Sequence, residues 1–367
     1  MKPVGARRNT AQEQGSASLA LMVSRPPDSY DVLRRFAPGT PLRIAVELIH
    51  GQGTGALIVV GSGPTLDALC SGGFLLHETV FTAQRLAELS KMDGGIVVDD
   101  EHGLITRANV HFIPDPTIET NETGTRFRTA ERMALQTGND VLAVSEESWR
   151  TAVVYRNGQR YELAAPADLL AAANNSLNSL ERLRRRLQSA DDRLTRAEVD
   201  DVVSSRDVLL VLARATLVTR MFAEIERTLV ALGGEANLIT IQATDLIEGV
   251  DELGENVFAD YRKRKGKKSV FERLSVVPTD ELHDLAGLAD ILGFPDDEAM
   301  EPRGIRLLAR VPRLPASVRR SLINHFRGFQ RLLHASVSDL EKVEGVGRAR
   351  AQQLRRFFDR MIEMGDA

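Results

Sequence analysis

The spacing of apolar residues changes once along this chain of 367 residues, close to Pro166. Upstream, from Tyr30 to about Leu163, short β-rich runs alternate with helical patterns, which indicates a mixed α/β domain. Downstream, apolar residues recur every three or four positions between charged faces, a pattern typical of helices that bury one side. Because a chain of this length usually forms two or three domains, we expect an α/β domain followed by all-α domains.

Individual elements follow from the same patterns. The predicted strands are Ala56–Val60, Gly95–Val98, Val141–Val144 and Thr151–Tyr155. The predicted helices are Thr79–Lys91, Arg128–Gln136, Ala167–Leu187, Ala197–Leu232 and Ala236–Asp251. The predicted domains are residues 30–163, a helical spine over 164–300 and a terminal helical module over 301–367. Residues 1–29, rich in Ser, Gly, Gln, Arg and Pro, are expected to form a poorly ordered tail.

The cysteine content and the apolar runs indicate the cellular compartment. Cys70 is the single cysteine, so no internal disulfide can form, and we expect it to serve in packing. No apolar run approaches the roughly 20 residues needed to cross a bilayer, and no secretory signal opens the chain. We therefore expect a cytoplasmic protein that does not span a membrane.

The formal net charge of −4 hides an uneven distribution. Pro302–Arg360 holds fourteen Lys and Arg against four acidic residues, a net of +10, which leaves −14 for the remainder. A basic module on an acidic body is typical of proteins that bind a polyanion such as DNA. The basic run Arg262–Lys268 has two readings, a solvated loop or a nucleic-acid contact.

The terminal module contains a repeated turn. In Leu340–Leu354, two glycines flank Val346, so a tight turn can join two short helices and present its amides to a phosphate. This segment resembles the helix-hairpin-helix family, and Leu308–Val318 resembles a degenerate first copy. The alternative is an ordinary helical turn with a glycine cap. If the resemblance holds, the candidate DNA-binding residues are Arg313, Gly345, Gly347, Arg348 and Arg350.

Several common sites are excluded. Gly61-Ser-Gly63 lacks the third glycine of a dinucleotide-binding loop, and no Walker A motif is present. The seven histidines contain no pair at zinc-ligand spacing.

Three short stretches in the α/β region carry chemistry of their own. Lys91–Gly95 places a carboxylate beside a backbone that a ligand can approach closely, which suits a metal ion or a hydroxyl awaiting activation. Gly124–Arg132 places threonines and arginines at the start of a helix, a suitable cradle for phosphates. Val144–Glu147 ends a strand with polar side chains.

In this order, and followed by helices and a hairpin module, the three stretches resemble the diadenylate cyclase family of DNA integrity scanning proteins. The resemblance runs from about Leu33 to the C-terminus and includes Thr54–Gly61 and Arg107–Pro116. It implies a cyclase domain that joins two ATP molecules into cyclic di-AMP and releases two pyrophosphates, with Mg²⁺ or Mn²⁺. It also implies a homo-octamer that brings two cyclase domains face to face, and sequence-independent binding of branched or damaged DNA.

The resemblance assigns roles to individual residues. Asp93 would be the catalytic carboxylate and metal ligand that activates the ribose 3′-hydroxyl. Arg126 and Arg128 would be catalytic through their hold on phosphates. The implied ATP-binding residues are Gly94, Gly95, Phe112, Thr125, Phe127, Thr129 and Ser145, and Glu146 is a further lining residue.

The chain departs from the family pattern in its two main motifs. Gly95 replaces an alanine after Asp93-Gly94, and Phe127 replaces the histidine between the two arginines. Two hypotheses stay open: an active cyclase regulated by DNA, or a DNA-binding scaffold or nucleotide sensor with little or no turnover. A repair nuclease is disfavoured, because no acidic cluster is present that could seat two metals.

Overall fold

A computed structural model of the chain describes residues 28–146, 151–262, 268–295 and 298–365. The predicted tail before Asp28 and most of the basic run Arg262–Lys268 therefore lie outside the described residues. The chain divides into two compact units. The first contains the described residues up to Asn175 together with Glu226–Thr240. The second contains Ser176–Ile225 and the residues from Ile241 onward.

The described residues of the first unit form one mixed β-sheet of eight strands with helices around it. The strands are β1 (Ala56–Val60), β2 (Cys70–Ser71), β3 (Phe74–Leu75), β4 (Gly95–Asp99), β5 (Leu104–Phe112), β6 (Asp140–Val144), β7 (Ala152–Arg156) and β8 (Gln159–Glu162). They lie in the order β2-β5-β4-β1-β6-β7-β8, and β3 also pairs with β5. Among the described strands, β1 and β4 form the one parallel pair.

Helices cover both faces of this sheet. They are α1 (Asp28–Arg35), α2 (Pro41–Gln52), α3 (Pro64–Ala68), α4 (Ala83–Leu89) and α5 (Thr125–Thr137). Successive side chains of a strand point to opposite faces. Ile58 and Val60 of β1 accordingly pack in the cluster that contains α2 and α4, whereas Val59 packs in the cluster that contains α5. Because both faces are buried, the central strands are continuous apolar runs, which is why they can be recognised in the sequence.

The strand predictions agree with these bounds to within one residue, but the helix prediction for Thr79–Lys91 is too long. Residues 79–81 are extended, since Thr79 accepts the N–H of Ile105 and Phe81 donates to Gly103, both at 2.8 Å. The helix begins at Ala83, where the side chain of Thr82 caps it. The long strand β5 and the short strands β2, β3 and β8 were not predicted.

The rest of the described chain is helical. It contains α6 (Pro166–Val199), α7 (Ser205–Leu232), α8 (Asn237–Ile247), α9 (Val250–Tyr261), α10 (Val270–Leu274) and α11 (Leu285–Leu292), with 3₁₀ turns at Gly233–Ala236 and Thr279–His283. The predicted fold class, an α/β domain followed by all-α regions, is confirmed. None of the described helices has the length and apolar character of a membrane span.

All three predicted spine helices have wrong bounds. Ala167–Leu187 ends too early, because α6 spans Pro166–Val199. Ala197–Leu232 is not one helix, because α6 continues through Ala197 to Val199 and the chain turns at Asp201, whose φ is 59°. Ala236–Asp251 is divided at Gly249, whose φ of 72° breaks the helix between α8 and α9. Periodicity continues across both breaks because the residues on either side bury the same kind of apolar face.

The terminal module contains two helical hairpins in tandem. They are formed by α12 (Ile305–Ala309), α13 (Ala316–Phe326), α14 (Phe329–Leu333), α15 (Val337–Glu341) and α16 (Arg348–Gly365). Each hairpin has one turn residue in the left-handed region, Arg313 with φ 58° and Gly345 with φ 83°. The starts of the paired helices and these two residues all recur at an interval of 32 positions (305 to 337, 313 to 345, 316 to 348).

A buried arginine ties the first hairpin to α6. Arg306, on α12, is 1% exposed and donates at 2.5 Å to both Asp191 and Glu198 of α6. Asp260, at the end of α9, accepts the backbone N–H groups of Ile305 and Arg306 at 2.6 and 2.7 Å, which caps α12. The second unit therefore contains a fully buried ionic network as well as an apolar core.

Candidate functional site

The first unit contains a cavity of about 1000 Å³ at one edge of the sheet. Strands β1 and β4 are parallel and both begin at this edge, and β6 ends there because it runs antiparallel to β1 with Val144 opposite Ala56. The N-terminus of α5 reaches the same edge, since Thr125 and Arg126 line the cavity. All three stretches singled out in the sequence thus meet at one place.

Asp93 lies in the turn between α4 and β4, where it is exposed and lines the cavity. Its carboxylate has no hydrogen-bond or ion-pair partner among the described residues. The next residue, Gly94, donates its backbone N–H to the side-chain oxygen of Asn109 on β5, at 3.0 Å. The Asp93 side chain therefore projects from a turn whose backbone is hydrogen-bonded to β5.

Gly95 and Phe112 are complementary in shape. A Cβ atom placed on Gly95 would lie 2.0 Å from Cε2 of the Phe112 ring, far closer than two carbon atoms approach. Phe112 is buried at 5% exposure, lines the cavity and packs in the core beneath α5. The loss of the alanine methyl at position 95 therefore makes room for a ring at position 112.

The N-terminus of α5 is open. Gly124, with φ 81°, precedes the first helical residue, and among the described residues no side chain caps the helix. The first amides of a helix lack intrahelical acceptors and carry the positive end of its dipole, so this turn suits a phosphate. Thr125 is exposed beside it, and the hydroxyl of Thr129 donates to the carbonyl oxygen of Thr125 at 2.8 Å.

Arg126 lies across Gly55, at the start of β1. Its guanidinium pairs with Glu146 and donates to the carbonyl oxygen of Val144 at 3.3 Å. A Cβ on Gly55 would lie 2.3 Å from Nη1 of Arg126, so a larger residue here would displace the guanidinium from its present position. Glu146 and Ser145, which follow β6, also line the cavity, and the N–H of Ser145 donates to Thr151 at 2.8 Å.

Phe127 and Arg128 differ in their surroundings. Phe127 is half-buried, lines the cavity and packs against the core between α5 and the sheet. Arg128 is exposed, does not line the cavity and has no side-chain partner among the described residues. The structure thus brings Asp93 and Arg126 to one cavity and leaves Arg128 outside it.

The sequence analysis assigned no role to several residues that line the cavity. They are Gly55, Lys91, His111, Glu122 and Arg160, among others. The cationic members are already paired, since Lys91 contacts Glu88 at 2.7 Å and Arg160 contacts Glu122 at 3.0 Å. Gly55 stands in the stretch Thr54–Gly61, but no local pattern shows that an arginine 71 positions later (126 against 55) will cover it.

The donor set limits how a metal ion could bind. Within the described residues, no group of three or more His, Cys, Asp or Glu is placed to hold a metal ion. Asp93 offers one exposed and unpartnered carboxylate. Mg²⁺ is commonly held by one or two carboxylates, substrate phosphates and water, so this site fits a metal that arrives with a nucleotide.

Two family models match most of this chain. The model described as "DisA bacterial checkpoint controller nucleotide-binding" matches residues 43–159, and that described as "DisA bacterial checkpoint controller linker region" matches 163–301. DNA integrity scanning protein DisA of Streptomyces avermitilis is 43% identical over 343 residues, 90% of this chain and 91% of that protein. The DisA of Kineococcus radiotolerans is 42% identical over 355 residues, 93% of this chain and 98% of that protein.

This chain belongs to the DNA integrity scanning protein family.

A solved structure is also similar to part of this chain. The crystal structure of DacA from Staphylococcus aureus covers 38% of this chain and 90% of its own, with 19% sequence identity and a TM-score of 0.29. Every residue that lines the cavity, with the exception of Arg160, lies inside the nucleotide-binding region of the DNA integrity scanning family. The cavity thus lies almost wholly within the stretch that matches the nucleotide-binding model.

The hairpins of this family member present the predicted DNA-binding residues in different ways. Arg313 and Arg348 are exposed, the first in its turn and the second at the start of α16. Gly345 and Gly347 are exposed in the second turn, and Gly345 packs closely enough on Val318 that a Cβ would lie 3.0 Å from it. Arg350 is half-buried, and its guanidinium donates to the carbonyl oxygen of Gly345, so this side chain stabilises the turn.

Proposed function

We propose that this chain is a diadenylate cyclase that condenses two ATP molecules into cyclic di-AMP and two pyrophosphates. The observation that carries the proposal is a single cavity lined by the unpartnered Asp93 carboxylate and by the open N-terminus of α5 with Arg126. Membership of a family whose matching region is described as nucleotide-binding supports it.

The proposed chemistry assigns each group a task. The 3′-hydroxyl oxygen of one ATP attacks the α-phosphorus of the other, the bond to the bridging oxygen breaks, and pyrophosphate leaves. Asp93 orients the hydroxyl and accepts its proton at a carboxylate oxygen. The α5 amides and Arg126 bind phosphate oxygens and offset the charge that develops on them. The same exchange, with the two nucleotides in reversed roles, closes the ring.

Mg²⁺ or Mn²⁺ would be held by Asp93 together with phosphate oxygens and would neutralise phosphate charge. Binding of phosphates to Arg126 has to compete with Glu146, which already pairs with it. A nucleotide that draws Arg126 away therefore leaves the Glu146 carboxylate exposed beside the phosphates. This exchange makes nucleotide binding sensitive to the total charge of the phosphate chain.

Two nucleotides require two cavities, and we propose that a second copy of the chain supplies the other. Arg128 fits this arrangement, because its exposed guanidinium lies outside its own cavity and is free of partners among the described residues. In a face-to-face pair it would bind phosphates of the nucleotide held by the partner. A homo-octamer built from such pairs is the assembly that we propose.

Phe127 bears on whether turnover is fast. Its ring packs against the core and so contributes to the packing of α5 on the sheet. The first backbone amides of α5 and the Arg126 guanidinium remain available to bind phosphates. The competing hypothesis is a DNA-binding scaffold or nucleotide sensor that binds ATP without turning it over. We favour the cyclase because Asp93 and Arg126 share the cavity.

We also propose that the terminal hairpins bind the phosphate backbone of DNA and thereby regulate the cyclase. The exposed Arg313 and Arg348 and the glycine turn at Gly345–Gly347 would supply the contacts. Such contacts carry no base information, so binding would depend on the shape of the DNA and on salt. The preferred DNA would be branched or damaged.

The experiment is to incubate the full-length protein with ATP and either Mg²⁺ or Mn²⁺ and to quantify cyclic di-AMP by chromatography with mass spectrometry. We expect product from the wild type and none from Asp93→Asn. Asp192→Asn, which alters an exposed aspartate on α6, is the matched control and should retain activity. No product from the wild type, with activity gained in Phe127→His, would establish the scaffold hypothesis instead.

A further inference from the structure

Strand β5 contains a residue whose backbone is not that of an extended strand. Asn109 has a φ of 55°, in the left-handed region. In the pairing of β4 with β5, Gly95 lies opposite Val110 and Val97 lies opposite Arg107, so three steps on β5 oppose two on β4. Asn109 therefore sits in a β-bulge. Bulges next to binding sites serve to redirect the side chains around them.

The bulge is locked against the turn that carries Asp93. The Oδ1 atom of Asn109 accepts the backbone N–H of Gly94 at 3.0 Å. A Cβ on Gly94 would lie 2.3 Å from the carbonyl carbon of Asn109, so the two backbones touch. Gly73, in the turn between β2 and β3, is equally close, since its Cβ would lie 2.6 Å from the carbonyl oxygen of Asn109. Two glycines thus hold the bulge from two sides.

The identity of the residue fits this task. Asparagine enters the left-handed region more readily than most residues, and its side chain supplies an acceptor that glycine lacks. Backbone conformations of this kind persist where the surroundings determine them, and they cluster at functional sites. Asn109 is half-buried and does not line the cavity, whereas Asp93 and Gly94 both do. Any effect of Asn109 on a bound nucleotide must therefore pass through the turn.

We propose that Asn109 is a positioning residue that fixes the Asp93–Gly94 turn and thereby sets where the Asp93 carboxylate stands in the cavity. The proposal rests on the proposed function, in which Asp93 activates the attacking hydroxyl. With the hydrogen bond removed, the turn can shift by a fraction of an ångström. A misplacement of about 1 Å can cost about 100-fold in rate.

Three substitutions separate the hydrogen bond from the backbone conformation. Asn109→Asp keeps both an acceptor oxygen and a tolerance for the left-handed region. Asn109→Gly keeps the conformation but has no acceptor, and Asn109→Ala loses both. We expect kcat for cyclic di-AMP to fall about 10- to 100-fold in the Gly and Ala variants and to be largely retained in the Asp variant. The KM for ATP should change little, because the phosphate contacts of α5 are untouched.

A merely structural role predicts a different order. Backbone strain alone would leave Asn109→Gly as stable and as active as the wild type, with only Asn109→Ala impaired. Wild-type kcat in Asn109→Gly would therefore overturn the proposal. Asn157→Gly is the matched control, because Asn157 is also left-handed, with a φ of 49°, but lies in the turn between β7 and β8 and does not line the cavity.

Hydrogen exchange provides a readout that does not need turnover. In peptides that cover residues 92–97, the Gly94 amide hydrogen should exchange faster in the Gly and Ala variants than in the wild type. In the Asp variant this amide should stay protected. Unchanged protection in Asn109→Gly would overturn the proposal, because the Asn109 side chain would then not be what holds the Gly94 amide.

The proposed function and this inference can fail separately. If the wild type forms product and Asn109→Gly does too at the same rate, the cyclase assignment stands and the role of Asn109 is wrong. If the wild type forms no product, the cyclase assignment is wrong, and exchange of the Gly94 amide then decides the role of Asn109. In that case wild-type protection of this amide in Asn109→Gly would overturn the proposal.

Discussion

Replacing Arg306 with methionine should destabilise the second unit by about 3 kcal/mol, because it leaves carboxylates buried without their partner. The guanidinium pairs at 2.5 Å with Asp191 and with Glu198, and all three side chains are at most 3% exposed. Losing one partner of a buried ion pair costs about 3–5 kcal/mol. The lower end applies here, since Asp191 keeps Arg310 and Glu198 keeps the hydroxyl of Tyr261 at 2.5 Å.

The assay is native-state hydrogen exchange, which assigns the loss to particular helices where a whole-chain melting curve would average over two units. Peptides from α6 and α12 should lose protection together in Arg306→Met. Arg196→Met, which changes an exposed arginine on α6, is the control and should leave them unchanged.

A triple variant tests the cause. Replacing Asp191 with leucine and Glu198 with methionine in the Arg306→Met background removes the stranded charges, and apolar replacement of a buried ionic group is often neutral or stabilising. The triple variant should recover most of the loss. The reasoning is refuted if Arg306→Met costs no more than the Arg196 control, or if the triple variant is less stable than the single one.

Three further predictions concern other parts of the chain. Gly95→Ala should weaken nucleotide binding measured by calorimetry, because the new Cβ would lie 2.0 Å from the Phe112 ring. Adding Phe112→Leu should restore binding. If the double variant binds no better than Gly95→Ala, the shapes of residues 95 and 112 are not complementary. Burial, and then the charge of Glu198, raise the pKa of Asp260 to about 7, so the folded state holds this proton more tightly than the unfolded chain does. The free energy of unfolding should then fall as the pH rises from about 4 to about 7, and Asp260→Asn should flatten that slope in urea titrations; a rise over this window would contradict it. Arg348→Ala should weaken binding to duplexes of any sequence and reduce the slope of log K against log salt by about 0.9, and an unchanged slope would exclude a phosphate contact at this residue.

Much of the fold could be predicted because local patterns record burial. The central strands are apolar on both faces, so β1 has the same bounds in the sequence pattern and in the structure. The hairpin turn at Gly345–Gly347 could be recognised because positive φ favours glycine and the preceding and following residues are amphipathic. Helix ends were less predictable. The start of α4 at Ala83 depends on residues 79–81 pairing with the segment at Gly103–Ile105, which no local pattern contains.

The candidate site, like the fold, could be predicted from the sequence only in part. The Asp93 turn and the start of α5 were visible in the sequence, since a carboxylate beside glycines and an arginine pair at a helix start are local signals. The family resemblance implied that both belong to one site. Tertiary structure brings them to one cavity through the parallel alignment of β1 with β4. It also decided that Asn109 holds Gly94, that Phe112 occupies the space beside Gly95, and that Arg126 covers Gly55. Residues far apart in the chain make these contacts, and side-chain periodicity reports which face is buried but not what is buried against it.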